Sequence, residues 1–151
     1  MAEKHHRKIF FELVQDEDGY PPVTCESMWA FEMSENLFCI DNIPFYVRGI
    51  SSGDLISAKN NGEKLLFENL VRPSSNSVFR VLLADTEGVQ AARDSFRALG
   101  CPSELSNVPG LFAVEIPGDI NFDTVANLLD NGEESGRWEY EEGVLRHQYN
   151  A

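Results

Sequence analysis

The sequence has few basic residues. Twelve Lys and Arg stand against 25 Asp and Glu, which gives a formal net charge of -13 over 151 residues. Proteins that bind nucleic acid need clustered Lys and Arg to contact phosphates, and anionic membrane surfaces attract the same residues. The composition therefore excludes nucleic acid and membrane surfaces as expected partners. A chain of this charge attracts a basic partner over long range and in a salt-dependent way.

Long apolar runs and paired cysteines are also missing. Apolar stretches such as Val81–Ala84 are short, whereas a membrane-spanning helix needs about 20 residues. The first residues carry no apolar segment behind their charges, so no secretory signal is expected. Cys25, Cys39 and Cys101 are widely spaced and form no CxxC pair, which disfavours a zinc site or a disulfide framework. These features predict a soluble, cytoplasmic protein with free thiols, no metal and no other cofactor.

The chain does contain enough apolar sequence for a core, with 42% hydrophobic residues and ten Phe. In the first half, short alternating stretches are separated by turn residues, as in Asp16–Pro22 and Asn60–Gly62. Asn-Gly is a strong hairpin signal because both residues tolerate positive φ. Five short strands with tight turns predict a small, strongly bent β-sheet or a partial barrel over residues 1–74.

The second half has a different pattern, and the polar segment 72–77 separates the two. A strand over 78–84 precedes a helix that Asp85 and Thr86 can cap and Gly100 can stop. Strands over 103–107 and 111–116 come next, then a helix that begins after Asn121 and ends at Gly132, and a last strand over 137–147. The resulting order, βαββαβ, predicts a ferredoxin-like α+β subdomain over residues 75–151.

None of the three histidines lies near a GxSxG motif in the sequence. His5 and His6 fall in a charged tail, and His147 lies far from any GxSxG sequence. Asp16–Gly19 lacks the ligand spacing of a calcium loop. Arg48–Asp54 could hold an anion, but it lacks the ending of a P-loop, and tight turns between strands explain its glycines. We therefore expect no enzyme, no catalytic residue and no metal site.

Acidic residues are concentrated towards the end of the chain. Residues 1–74 hold 12 acids and 7 bases, and residues 75–151 hold 13 acids and 5 bases. The segment from Asp130 to Glu142 is the densest in acidic residues. Within it, Trp138 and Tyr140 would share one face of a strand, with Glu139 and Glu141 on the other face. One interpretation is an edge strand whose charges discourage aggregation while its aromatics enter the core. The other is a docking surface for a basic protein, formed by Asp130, Glu133, Glu134, Trp138, Glu139, Tyr140, Glu141 and Glu142.

A further group of motifs is distinctive in combination. They are Asp16–Val23, Glu26, Trp29, Asp41–Phe45, Gly49, Ile50, Gly53, Asp54 and Arg80–Leu82. Together they resemble the bacterial family known as domain of unknown function 4265, from about Phe10 to His147. The resemblance implies no enzymatic activity; it implies turns at Gly and Pro, and packing by Trp29 and Phe45. Small acidic proteins of this kind are also similar to the immunity proteins encoded beside bacterial polymorphic toxins.

Two functions follow as hypotheses. The first is a non-enzymatic immunity protein that binds a cognate toxin, expected to have a basic catalytic domain, and blocks its active-site cleft through the acidic, aromatic-containing surface. The second is a small-ligand-binding regulatory module, in which the Arg48–Asp54 loop holds an anion. Fold class alone does not decide between them.

Overall fold

The computed structural model describes residues His5–His147. The chain divides into two compact units, with the division between Ser74 and Ser75. Strands form the regular structure of the first unit, whereas the second combines strands with two α-helices. The protein therefore has a mixed α+β fold with two sheets and more strand than helix. None of the helices within residues 5–147 is long and apolar enough to cross a membrane.

The first unit is a closed barrel of five strands in sequence order. The strands are β1 (His6–Glu12), β2 (Cys25–Ser34), β3 (Leu37–Ile40), β4 (Leu55–Asn60) and β5 (Leu65–Arg72). Neighbours in sequence pair antiparallel, and β5 closes the barrel on β1 as a parallel pair, with Ile9 opposite Leu65. A parallel closure follows because the first and last of an odd number of up-and-down strands run in the same direction. The sheet thus closes fully, beyond the bent sheet or partial barrel that the sequence predicts.

The core of the barrel follows the two-residue alternation of its strands. Ile9 of β1 and Met28 and Ala30 of β2 are buried, so Trp29 lies on the outside and is 42% exposed. The packing role that the family resemblance implies for Trp29 is therefore wrong. Its ring instead stacks on His6, with a centroid distance of 4.8 Å. His6 itself belongs to β1, so the prediction that it lies in a charged tail is also wrong.

The second unit has a four-stranded antiparallel sheet with the strand order β7-β8-β6-β9. Along the chain its elements follow the order strand, helix, strand, strand, helix, strand, with a short 3-10 helix at Thr86–Gly88. They are β6 (Ser77–Leu83), α1 (Val89–Ala98), β7 (Ser103–Leu105), β8 (Leu111–Ile116), α2 (Phe122–Glu134) and β9 (Trp138–Val144).

Helix α2 begins where the sequence predicts and ends later. The Asn121 side chain accepts a hydrogen bond from the backbone N–H of Asp123 at 2.9 Å, which satisfies one of the free donors of the first turn. The helix does not stop at Gly132; it continues to Glu134, and Gly136 makes the turn with a φ of 75°. Gly132 is instead a packing residue, because a Cβ there would lie 1.9 Å from Cε2 of Trp138.

Candidate functional site

The acidic residues singled out in the sequence meet where α2 ends and β9 begins. Five of their carboxylates belong to exposed residues, which we call the acidic surface: Asp130, Glu133, Glu134, Glu139 and Glu142. The first three lie on the last turns of α2, and the other two lie on β9, an edge strand of the described sheet. The turn at Gly136 joins α2 to β9 and places Glu139, at the start of β9, next to the end of α2, whereas Glu142 lies further along the strand, opposite Phe79.

The placement of these acids on α2 is unfavourable for the helix. The carboxyl end of a helix carries the negative end of the helix dipole, where cations stabilise and anions destabilise. Glu133 and Glu134 occupy the last turn of α2, and that turn contains no basic residue. Each carboxylate there costs about 0.3–1 kcal/mol of helix stability. Stability of the helix therefore does not explain why the last turn is acidic.

A cleft of about 700 Å³ opens beside the acidic surface. Leu82 and Ala84, at the end of β6, give it an apolar side, and Glu133 and Glu139 line it with carboxylates. Leu82 is exposed, although it is a large apolar residue. Arg137 also lines the cleft. An apolar wall with two carboxylates at its margin can take the aliphatic stem and the charged head of a partner's Lys or Arg side chain.

Trp138 does not belong to the exposed part of this surface. It is only 3% exposed and packs among the core residues of the second unit, 5.8 Å from the ring of Phe96. Its Nε1–H donates a hydrogen bond to the backbone carbonyl of Leu129 at 3.0 Å. Arg137 lies over the indole, with a guanidinium-to-centroid distance of 4.6 Å. The side chain of Trp138 therefore fills the space between α2 and the sheet, and the exposed part of the predicted docking surface does not include its ring.

Tyr140 and Glu141 each have a side-chain partner within the unit. Tyr140 is half-buried, and its hydroxyl donates to the Asp130 carboxylate at 2.5 Å, which ties β9 to α2. Glu141 accepts from Arg80 Nη1 at 3.4 Å. Arg80, which belongs to the Arg80–Leu82 motif of the family resemblance, is only 2% exposed although it stands in a mostly apolar strand. Glu141 therefore partners a buried cation and belongs to the acidic surface less than its neighbours do.

Two carboxylates of the barrel have structural roles that the sequence did not reveal. Glu26 accepts hydrogen bonds from the backbone N–H groups of Phe45, Tyr46 and Val47 at 2.7–3.0 Å. It thereby fixes the loop that contains the family motif at Asp41–Phe45. A lone Glu among strand residues gives no local sign of such long-range bonds, which span about 20 residues.

Asp54 has a similar role inside the loop proposed as an anion site. It is fully buried and accepts from the N–H and hydroxyl of Ser51 and from the N–H of Ser74, at 2.8–3.1 Å. Its carboxylate therefore occupies the position in which a bound anion would meet the Ser51 N–H. The turn interpretation of Arg48–Asp54 fits this arrangement, and the loop gives no support to the small-ligand hypothesis.

A serine and a histidine that are 70 residues apart meet in the second unit. The Ser77 hydroxyl and His147 Nδ1 are 2.6 Å apart. Because the carbonyl of Pro117 only accepts, His147 Nε2–H donates to it at 2.9 Å, and Nδ1 accepts from Ser77. Ser77 is buried, and its oxygen also accepts from the N–H groups of Arg146 and His147. Its lone pairs are thus already engaged, so these bonds fasten the segment that follows β9 to the start of β6 rather than presenting a nucleophile.

The buried thiol of Cys101 does not have the features of a reactive cysteine. Burial, with a smaller contribution from the Glu115 charge, raises the pKa of Cys101 from 9.0 to about 11, so its thiol is protonated at neutral pH. Cys25 and Cys39 are free thiols. Within residues 5–147, no three His, Cys, Asp or Glu side chains converge in a way that could hold a metal ion. His6 has a carboxylate neighbour in Asp41, at 3.2 Å.

Comparisons with known proteins identify the fold without an activity. Residues 26–140 match the family model described as Domain of unknown function (DUF4265). A crystal structure described as a hypothetical protein from Neisseria gonorrhoeae superposes with a TM-score of 0.77 at 17% sequence identity, over 95% of this chain and 98% of that one. At this identity the similarity establishes a shared fold alone. No curated protein matches the chain.

Proposed function

The chain belongs to the DUF4265 family, and we propose that it is a non-enzymatic immunity protein that binds a cognate bacterial toxin and blocks its active-site cleft. The observation that carries this proposal is the acidic surface at the end of α2. It has five exposed carboxylates, and two of them, Glu133 and Glu139, line a cleft with an apolar wall. It also places acids in the last turn of α2, where they destabilise the helix. A surface that costs stability is expected where binding requires it.

The chemistry of the proposed partner follows from this surface. Toxins that act on nucleic acids or nucleotides have basic clefts, because those clefts must hold phosphates. Carboxylates at the end of α2 would occupy the positions of these phosphates and exclude the substrate. Complementary charge mainly accelerates association, whereas apolar contacts near the centre of an interface supply most of the affinity. Leu82 takes the role of an apolar anchor, since Trp138 is buried.

Three features support the remaining parts of the proposal. The hydrogen bonds of Ser77 and the protonated thiol of Cys101 support a protein without a catalytic nucleophile. The three free cysteines support a reducing compartment such as the cytoplasm, where a toxin must be neutralised before export. The element order and the strand order β7-β8-β6-β9 support a ferredoxin-like assignment for the second unit.

The test measures association kinetics between the full chain and the toxic domain encoded beside it. We expect a tight 1:1 complex, protection of cells that express the toxin, and an association rate that falls as salt increases. Reversing four charges of the acidic surface should lower the association rate at least about tenfold at low salt. The substitutions are Glu133→Lys, Glu134→Lys, Glu139→Lys and Glu142→Lys.

A matched control separates the acidic surface from net charge. Four exposed glutamates elsewhere give the same change in net charge: Glu35→Lys, Glu63→Lys, Glu68→Lys and Glu87→Lys. The control should retain most of the association rate and should still rescue cells. An association rate that is indifferent to salt, or equal losses in the two quadruple variants, would rule out the acidic surface as the binding site. Failure of the native chain to protect cells would rule out the immunity function itself.

A further inference from the structure

The barrel carries a second surface that the proposed function does not use. A groove of about 420 Å³ lies at the end of the barrel where β1 and β5 finish. Phe11 and Phe67, stacked with a centroid distance of 4.7 Å, form part of its wall, together with Tyr46 and Pro21. Aromatic rings and a proline thus surround the groove, with Leu70 beside them.

Apolar side chains are exposed around this groove to an unusual extent. Val14, which lines it, is 90% exposed, and Leu70 and Val71 of β5 are also exposed. Val23 precedes the start of β2 at the same end, since Leu13 N–H donates to the Thr24 carbonyl there. Exposed large apolar residues scattered singly are ordinary, but a group of them beside a groove marks an interaction site.

The charges at this end of the barrel are mainly negative. Glu12 lines the groove, and Asp16, Glu17 and Asp18 are exposed on the β1–β2 loop that supplies Val14 and Pro21. Arg48 is the cation among the lining residues. Complementary charge therefore favours an occupant with positive charge.

Hydrogen bonds hold both loops that form the groove. In the β1–β2 loop, the Gln15 amide donates to the Pro21 carbonyl at 3.1 Å, and the Asp16 carboxylate accepts from the N–H groups of Asp18 and Tyr20. In the opposite loop, Glu26 holds the three N–H groups described above. Walls fixed in this way lose little conformational freedom when a ligand binds, which favours affinity.

The topology decides how an extended peptide could bind. A peptide that adds a strand needs a long open sheet edge, whereas every strand of the barrel has a neighbour on both sides and the β1–β5 pairing at Ile9–Leu65 and Phe10–Leu66 leaves open only the short stretch of β5 beside the groove. A polyproline II segment needs no backbone pairing, since its N–H and C=O groups remain solvated, and its proline rings pack on flat aromatic side chains. The aromatic walls at Tyr46 and Phe67 offer such surfaces.

We propose that this groove binds a positively charged, proline-containing segment of a partner protein. The prolines contact the aromatic wall and Val14, and a flanking Lys or Arg lies near Glu17 and Asp18. This surface is separate from the acidic surface, so either proposal can fail while the other stands.

The test uses the full-length chain and labelled ten-residue peptides. The probe contains prolines and leucines with an arginine at each end. Companion peptides replace the prolines by glycine, replace the arginines by glutamate, or form a basic amphipathic helix. We expect the probe to bind in fluorescence anisotropy about tenfold more tightly than the others, and to shift amide resonances of the groove.

Matched substitutions connect binding to the groove. Val14→Gln with Leu70→Gln should weaken the probe about tenfold, and Glu17→Gln with Asp18→Asn about threefold at low salt. Because these residues are exposed, the variants should fold. The controls, Met33→Gln and Glu63→Gln, remove an exposed apolar group and an exposed charge away from the groove, and should change affinity less than about twofold.

Several outcomes would overturn the proposal. They are no binding of the probe at about 1 mM, equal binding of the glycine or acidic peptide, or equal loss in the control variants. Tighter binding of the helical peptide would assign the groove to a helix. Groove resonances that move with protein concentration alone would assign it to a second copy of the chain. Shifts caused by deleting residues 1–4 or 148–151 would assign it to a segment of this chain.

Discussion

In the barrel, the carboxylates of Glu26 and Asp54 accept from backbone N–H groups, whereas the exposed carboxylates of Glu133 and Glu134 lie in the last turn of α2. Glu26 and Asp54 accept three hydrogen bonds each. The acids in the last turn of α2 meet instead the negative end of the helix dipole. The same chemical group therefore stabilises one unit and destabilises the other, so a count of acids says nothing about what each acid does.

The outer surfaces of the two units also differ in which charged residues they present. On the barrel, Lys8 lies 5.2 Å from the centroid of Trp29, and Lys64 lies 4.8 Å from that of Phe10. These cations lie over one exposed ring, Trp29, and one half-buried ring, Phe10. The second unit instead keeps its tryptophan inside and exposes acids around the end of α2. Net charge is thus a poor guide to the surface of the barrel and a better one to that of the second unit.

The largest loss of stability is expected when the buried carboxylate of Asp54 is removed from the barrel. Asp54→Ala leaves the N–H groups of Ser51 and Ser74 without their acceptor, and Ser51 is fully buried. Each unsatisfied buried donor costs about 1–3 kcal/mol, so we expect a loss of about 3 kcal/mol. Urea unfolding, with hydrogen exchange followed separately in the two units, measures where the loss falls.

The control for this prediction is an exposed acid of the same unit. Glu63→Ala should change the free energy of unfolding by less than about 0.5 kcal/mol. The loss in Asp54→Ala should appear in the barrel amides. If Asp54→Ala and Glu63→Ala were equally stable, the structural role assigned to the buried carboxylate would be wrong.

The second largest loss of stability is expected when a side chain is added beside Trp138, the tryptophan that the second unit buries. In Gly132→Ala the new Cβ would lie 1.9 Å from Cε2 of Trp138, so the indole must shift away from the Leu129 carbonyl. Overpacking of this kind costs about 1–3 kcal/mol, and thermal unfolding measures it.

In a Trp138→Leu background, Gly132→Ala should raise the stability of the protein instead of lowering it. Leucine at position 138 has no atoms beyond the δ position, so Gly132→Ala should meet no clash in a Trp138→Leu background. There the better helix propensity of alanine should stabilise the protein by up to about 1 kcal/mol. If Gly132→Ala destabilised both backgrounds equally, contact with Trp138 would not be its cause.

Local signals account for much of what the sequence predicted about the fold. The start of α2 was predictable because the Asn121 cap acts within two residues. The Asn61-Gly62 turn joins β4 and β5 for a similarly local reason. The closure of β1 on β5 depends on residues 56 positions apart, Ile9 and Leu65, and no local pattern reports it. Gly132 resembled a helix stop in the sequence, but the position needs glycine because the indole of Trp138, on β9, packs against it. No local pattern shows that contact.

In the candidate site, too, local features were predictable from the sequence and long-range contacts were not. The charge run identified the acids at the end of α2, because exposed charge needs no partner to be recognised. The fate of the aromatics was not predictable from alternation alone. Trp138 and Tyr140 share a face, yet the first is buried and the second half-buried, since Gly132 makes room for one ring and Asp130 holds the hydroxyl of the other. The contact between Ser77 and His147 was hidden by sequence distance.

The smallest expected effect is a gain in stability, whereas Asp54→Ala and Gly132→Ala in the native chain lower it. Glu134→Lys removes an anion from the last turn of α2 and places a cation at the negative end of the helix dipole. It should stabilise the second unit by about 0.5 kcal/mol at low salt, and the gain should shrink as salt screens the interaction. Glu142→Lys, an exposed reversal on β9 and away from any helix end in the same unit, controls for the change in net charge. Urea midpoints at two salt concentrations distinguish the two variants. A stability gain accompanied by slower association with the toxic domain would mean that the acids of α2 are retained for binding at the expense of the helix. A loss of stability in Glu134→Lys would remove the contrast between the two units, because the acids of α2 would then also be structural.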